Sequence, residues 1–508
     1  MALAYAMVQL GYAAPPILTL NASKNTGKPG DEIVFSWKVE ANGNRVRDPR
    51  VRVDGETLKV KSPYTWKMTP GTHVVYLEMA WKKGLKDLPL SAEEEKKKAG
   101  LEKKGKKFKR PSMPYITATQ LVEITPTASD FVHPGLYSSA EELDAIRRFA
   151  NQKGSHPIKD AIPAFLKCSS GSEATNEVPY ASLDWKPHAV SIAWPKSDDK
   201  AFLFGDGRAV YAHALLWVIT GKQEHADKAI EILNAWSSIF KDMRTKNGDI
   251  YASLFGSWTA NHWVAGAEII RYYKLNGKSA GWEKEDVLKF EKMCRVFERL
   301  MLQWNGGANT YGLQNQRLAV SRTCMALGVF MNDQDLFNHG AYLIMDKMYS
   351  GKSTVKRHGH PVNLVGLTIA SDGEIMEFNR DAAHGRGSLN VLVTVAEIFR
   401  HQRVDEKYKL YDLKLDGEKI PRLLKGAEYA VHAYYNSPID TSKVKGFVND
   451  SSGSHSEMIV NYYKYIKKDQ YALPENEKVN LESRPKDGAT YIIPWTTITH
   501  GFDFYRKR

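Results

Sequence analysis

Cysteine is scarce: Cys168, Cys294 and Cys324 are the only three in 508 residues. That excludes a disulfide scaffold and a cysteine-rich zinc module. No uninterrupted apolar run approaches the roughly 18 residues of a membrane helix. There is no phosphate-binding loop and no HExxH. Gly277-Lys278-Ser279-Ala280-Gly281 spells Gly-x-Ser-x-Gly, but it follows a helical pattern where a nucleophile elbow needs a strand, so it reads as a turn. His358 and His360 form an isolated H-x-H, too little for a metal site, and no metal or cofactor is expected. Negative charge is the minority sign, with 58 Asp+Glu against 71 Lys+Arg and a net charge of +13. The excess points to an anionic partner: nucleic acid, membrane or acidic polysaccharide. No nucleic-acid-binding motif accompanies it, so nucleic acid ranks last. What is present suits a large folded chain. Hydrophobic residues make up 43%, and the length suits two to four domains.

Residues 1–15 are apolar and end in small residues. They read as the tail of a secretory signal peptide or as a first strand. Residues 16–127 carry short runs rich in β-branched and aromatic residues, at 17–20, 32–40, 51–58, 73–81 and 115–124, separated by Gly and Pro turns. Their spacing predicts a β-sandwich. Gly30-Asp31-Glu32-Ile33-Val34-Phe35-Ser36-Trp37 resembles the second strand of immunoglobulin-like domains attached to carbohydrate enzymes. Residues 91–111 hold nine Lys/Arg and four Glu, and read as a solvated basic hairpin tip or an anion-binding patch.

From residue 128 the texture changes. Ser139-Ala140-Glu141-Glu142-Leu143 is a capped helix start. Apolar residues then recur at helical spacing over 209–220, 226–240, 262–273, 287–304, 318–331, 335–349, 388–401 and 421–435. Helices of this length with short connections predict stacked antiparallel pairs, as a solenoid or a closed toroid.

Four polar clusters stand out. Glu377, Arg380, Asp381 and His384 fall at i, i+3, i+4 and i+7, in line with the apolar residues that follow. On one helix they would share one face and sit in a cleft or core, where a charge needs a partner or a task. Asn379 lies among them. Asn315 and Arg317, with Tyr311 upstream, gather on a Gly-rich loop opening into a helix. Trp258, Asn261 and His262 lie near another helix start. Glu457 through Tyr465 mixes a carboxylate with tyrosines, Tyr463 included.

Together these segments resemble the alginate lyase superfamily of polysaccharide lyases. Glu377-x-x-Arg380-Asp381-x-x-His384 is similar to its E-x-x-R-D-x-x-H helix, and the segment from Asn315 to Asp333 to its Asn-bearing helix. Glu457…Asn461-Tyr462-Tyr463 resembles its C-terminal segment, and the resemblance spans about 133–500. It implies an (α/α) toroid that cleaves an acidic polysaccharide, alginate or glucuronan, by β-elimination. It implies Asn315 and Arg380 as neutralisers of the substrate carboxylate, His384 as base or neutraliser, Tyr463 as acid, and Glu377 as the group orienting Arg380 or His384. Trp258, Asn261, His262, Tyr311, Arg317, Asn379 and Asp381 would bind substrate. The chain departs from the pattern in places: Gln316 stands where some relatives carry His, Gly387 where they carry Tyr, Gly453-Ser454 where Arg-Pro is often found, and Val460 where the C-terminal segment has its first Tyr. The expectation is a secreted or periplasmic two-domain lyase. The rivals are a glycoside hydrolase using two of Glu377, Asp381 and Glu457, or a non-catalytic binder of acidic glycans.

Overall fold

The computed structural model describes residues 16–27, 31–53, 56–68, 73–82, 92–105, 107–108, 116–126, 131–169, 178–190, 197–243, 249–304, 314–402, 405–415, 417–434, 454–467, 471, 474–482, 484–485 and 492–502. The chain divides into two compact units, Met1–Ala128 and Ser129–Arg508.

The first unit is two sheets over one core. Strands β1 (Ile17–Ala22), β2 (Thr26–Gly27), β3 (Glu32–Glu40), β4 (Arg45–Val46), β5 (Arg50–Val53), β6 (Glu56–Leu58), β7 (Tyr64–Lys67) and β8 (His73–Lys82) precede helix α1 (Ala92–Glu102), and β9 (Ile116–Pro126) follows it. One sheet has the order β1-β3-β7; the other runs β2-β9-β8-β5-β6, with β4 beside β8. Alternation in β3 sends Ile33 and Phe35 inward, where they meet Leu20, Val51, Val75 and Leu77. Residues 91–111 differ from the expected hairpin. Their described part is helical over Ala92–Glu102, and residues 95–100 are exposed throughout. Glu93, Glu94 and Glu95 at the start of that segment suit the helix dipole, which the sequence argument had not weighed. Residues 1–15 lie outside the described part.

The second unit is helical. Its elements are α2 (Ala140–Ala150), α3 (Pro157–Lys167), α4 (Ser197–Thr220), α5 (Gln223–Ile239), α6 (Asp249–Tyr272), α7 (Lys284–Gln303), α8 (Gln314–Met331), α9 (Gln334–Met345), α10 (Lys352–His358), α11 (Leu364–Thr368), α12 (Ala382–Gln402), α13 (Arg422–Tyr434), α14 (Ser454–Val460), α15 (Pro474–Glu482) and α16 (Thr496–His500). Packing runs α4 to α6 to α8 to α12 to α14 to α16 to α2 and back to α4, a closed circuit. Helices α5, α7 and α9 lie against its outside. Burial follows this arrangement. Helix α8 is enclosed nearly around its circumference, as an inner helix must be, whereas α7 buries one stripe led by Phe290, Cys294, Phe297 and Met301. Gly266 lets α6 and α4 touch, since a Cβ there would lie 2.7 Å from Val210 Cγ1.

Several polar groups inside the ring are paired. Asp206 accepts both indole N–H groups of Trp185 (2.9 Å) and Trp236 (2.6 Å) and the His188 backbone N–H (2.6 Å). Where the circuit closes, Arg400 joins Glu142 (2.8 Å) to Glu397, and His401 joins Glu142 (2.8 Å). Burial pushes the Glu142 carboxyl up, but Arg400 and His401 outweigh it and hold it well below the usual range.

Candidate functional site

The structure brings Glu377, Arg380, Asp381 and His384 together, but not on one helix. Glu377 and Asn379 lie in a single 3-10 turn, Met376–Asn379, and α12 starts only at Ala382. Asp381 caps that helix. Its Oδ1 accepts the His384 backbone N–H at 2.9 Å, and its Oδ2 lies 2.6 Å from His384 Nδ1. A carboxylate only accepts, so Nδ1 carries the proton and a neutral ring keeps its lone pair on Nε2. Both side chains remain about one-third exposed, at 31% for His384 and 36% for Asp381. Burial pushes the Asp381 carboxyl up, but the bonds from His384 prevail and lower it. Arg380 is exposed beside this dyad, its Nε 3.9 Å from Asp381 Oδ2.

Beneath the dyad the site is dry. Glu377 is buried, and its Oε2 accepts the Asn315 backbone N–H (2.6 Å) and the Ser388 hydroxyl (2.5 Å). Burial raises its carboxyl to about 7 against the opposing pull of those two bonds. Expected to orient Arg380 or His384, Glu377 instead ties the first turn of α8 to α12, because Ser388 and Asn315 hold the one carboxylate oxygen that is bonded. Glu377 Oε1, Asn315 Oδ1 and both polar atoms of the Gln314 side chain are enclosed and make no hydrogen bond among the described residues. Two sets of polar groups therefore meet where α8 and α12 start: buried amides and a carboxyl, and an exposed His–Asp pair with an arginine.

The remaining candidates separate. Trp258, Asn261 and His262 sit in the middle of α6, not near its start. Half-buried Trp258 faces α12, since a Cβ on Gly387 would lie 3.9 Å from its Cη2. Asn261 is fully engaged in the core. It donates to Ser257 O (2.6 Å) and Thr323 Oγ1 (2.9 Å) and accepts from Tyr137 (2.9 Å), so no group is left for substrate. His262 is buried as well. Arg317 lies buried in the first turns of α8, with its guanidinium 5.3 Å from the Tyr349 ring centre. Asn379 is turned to Glu374 (3.1 Å). Tyr311 lies outside the described residues.

Two expectations are corrected. Tyr463 is buried in a cluster of tyrosines, and its hydroxyl donates to the Tyr411 carbonyl; burial keeps the phenol well above its ordinary range. Glu457 is buried in a bidentate pair with Arg484 and also accepts from Asn480 (3.1 Å) and Thr497 (3.0 Å). A carboxylate satisfied on every side cannot also serve a sugar. Among the described residues no group of three His, Cys, Asp or Glu is placed to hold a metal ion. Gln314 was missed; its one signal was its place next to Asn315 before an apolar run.

The chain is similar to known proteins over this unit. The family model described as alginate lyase matches residues 196–437, a span holding Asn315, Glu377, Arg380, Asp381 and His384. No curated protein matches. Alginate lyase A1-III from Sphingomonas species A1 is 14% identical with a TM-score of 0.50, covering 72% of this chain and 97% of that one. An alginate lyase from Bacteroides ovatus is 12% identical with a TM-score of 0.48, covering 72% of this chain and 99% of that one. At such identity the first likeness speaks to fold, and it agrees with the closed circuit of helices. Residues 196–437 are thus similar in sequence to the alginate lyase family, and the helical unit is similar in fold to an alginate lyase.

Proposed function

We propose that this protein cleaves a polyuronate, alginate or a glucuronan, by β-elimination at the His384–Asp381 dyad. The 2.6 Å contact that fixes the imidazole and leaves the lone pair on Nε2 carries the reading. Nε2 takes the C5 proton of the uronate. The C4–O4 bond breaks, its electrons leave on O4, and a C4=C5 double bond forms. The imidazolium then returns the proton to O4, which suits elimination on one face of the sugar. Asp381 stabilises the imidazolium and holds the ring's orientation. Arg380 and the Asn315 side chain face the substrate carboxylate, where charge builds as C5 loses its proton. Each such donor is worth about 2.7–4 kcal/mol in comparable sites. Glu377, its carboxyl raised to about 7, is neutral below that pH and there adds a neutral carboxyl beside them rather than a repelling anion.

An extracellular or periplasmic location fits a substrate too large to enter a cell. The two-sheet N-terminal unit fits an immunoglobulin-like accessory module.

A panel of polyuronates scored by ultraviolet absorbance tests the reading. Unsaturated ends absorb and are expected with at least one polymer. New reducing ends without absorbance would mean a hydrolase, and retention without cleavage a binding protein.

A further inference from the structure

The interior of the helical unit holds a cation with no counter-charge among the described residues. Arg322 on α8 is fully buried, at 0% exposure. Among the described residues its one hydrogen bond is long, 3.4 Å from Nη2 to the Ser257 carbonyl. That carbonyl already accepts from Asn261 (2.6 Å) and Thr323 (2.9 Å), which occupy its two lone pairs. The Nε and Nη1 donors have no acceptor among the described residues. Three other largely enclosed arginines face carboxylates: Arg400 faces Glu142 and Glu397, Arg422 faces Glu418, and Arg484 faces Glu457; of the rest, Arg208 donates to the Tyr180 hydroxyl (3.1 Å) and Arg317 lies over the Tyr349 ring. Around Arg322 stand a phenol, an amide and a hydroxyl, from Tyr137, Asn261 and Thr323. No described carboxylate is among them.

A guanidinium keeps its proton even when burial lowers its affinity for it. Unpaired charge in such a medium costs several kcal/mol. Water would satisfy the idle N–H donors but not the charge, so the missing partner is anionic. The enclosure by Tyr137, Asn261 and Thr323 limits its size. Arg322 follows Asn315 by seven residues on the same helix, two turns and about 10 Å further along one face.

We propose that the Arg322 guanidinium holds a small monovalent anion of the halide class inside the helical unit, through its Nε and Nη1 donors. Bromide is the probe, on the full chain. At constant ionic strength, replacing a bulky organic anion with bromide should raise the melting temperature saturably, by roughly 3–5 °C. Arg322→Met should abolish that increment. An equal response in wild type and variant overturns the proposal. Should Arg322→Met not fold, anomalous diffraction from a bromide-soaked wild-type crystal decides. A bromide peak at the guanidinium supports the assignment, and its absence refutes it. Neither readout depends on catalysis, so the result stands apart from the assignment of the active site.

Discussion

Glu377 Oε2 accepts the Asn315 backbone N–H at 2.6 Å, across 62 residues of sequence. The bond fastens the start of α8 to the turn before α12 while leaving the carboxyl in a dry place that raises it to about 7. Its folded-state affinity for a proton exceeds the ordinary one, so the native chain binds more protons than the unfolded chain between pH about 4.5 and about 7. Stability is therefore complete below that window, falls as pH rises through it, and is level above it. Glu377→Gln keeps the shape without the charge. Urea denaturation should find it about as stable as wild type at pH 4, and more stable at pH 8 by on the order of 3 kcal/mol. An identical pH dependence in both proteins would rule out the raised carboxyl. The elimination rate of wild type should fall above pH about 7, where Glu377 loses its proton, and Glu377→Gln should lack that fall.

The dyad makes a second prediction. His384→Ala should cut the elimination rate by at least about 10²-fold without unfolding the chain. Asp381→Asn should also lose tenfold or more, roughly, because an amide can donate to Nδ1 and turn the proton onto Nε2. Initial rates by ultraviolet absorbance, with circular dichroism as a check on folding, measure both. Near-wild-type rates in His384→Ala would move the base elsewhere.

Tyr463 gives the opposite expectation to the one its family position suggested. With its hydroxyl spent on the Tyr411 carbonyl, Tyr463→Phe should leave the elimination rate unchanged and lower stability by about 1 kcal/mol, the net worth of one hydrogen bond. A large rate loss with intact stability would restore the tyrosine to the chemistry.

These residues show what can be read from sequence and what cannot. Helix positions followed from the 3.6-residue period, yet α6 starts at Asp249 rather than near 262; Ile250, Tyr251, Leu254, Phe255 and Trp258 already recur at helical spacing there, a signal that was passed over. The His384–Asp381 pair is local, three residues apart, so sequence spacing nearly specified it. The Glu377–Asn315 bond and the Glu457–Arg484 pair join distant segments, and no spacing rule announces either. Tyr463 and Asn261 were misjudged for one reason: a polar group on an inner helix looks alike in sequence whether it faces a cleft or a core partner. Only the Tyr411 carbonyl and the Ser257–Thr323–Tyr137 set distinguish them.

The first turns of α12 offer a last test, through two glycines two residues apart. A Cβ on Gly385 would lie 2.6 Å from Phe378 Cγ, so the helix rests against that ring only because the side chain is missing. Phe378 neighbours Glu377 in the 3-10 turn, so pushing the ring away also disturbs the Asn315 and Ser388 bonds. Gly385→Ala should cost about 1–3 kcal/mol by overpacking, and lower the elimination rate with it. At Gly387 the nearest atom is Trp258 Cη2 at 3.9 Å, an ordinary contact. Gly387→Ala should therefore be tolerated, and gain up to about 1 kcal/mol from the better helix former. Thermal melts and initial rates of the two variants, compared side by side, separate the positions. Equal losses at both would mean that α12 does not pack against Phe378 as described, and that the junction holding Glu377 is built differently.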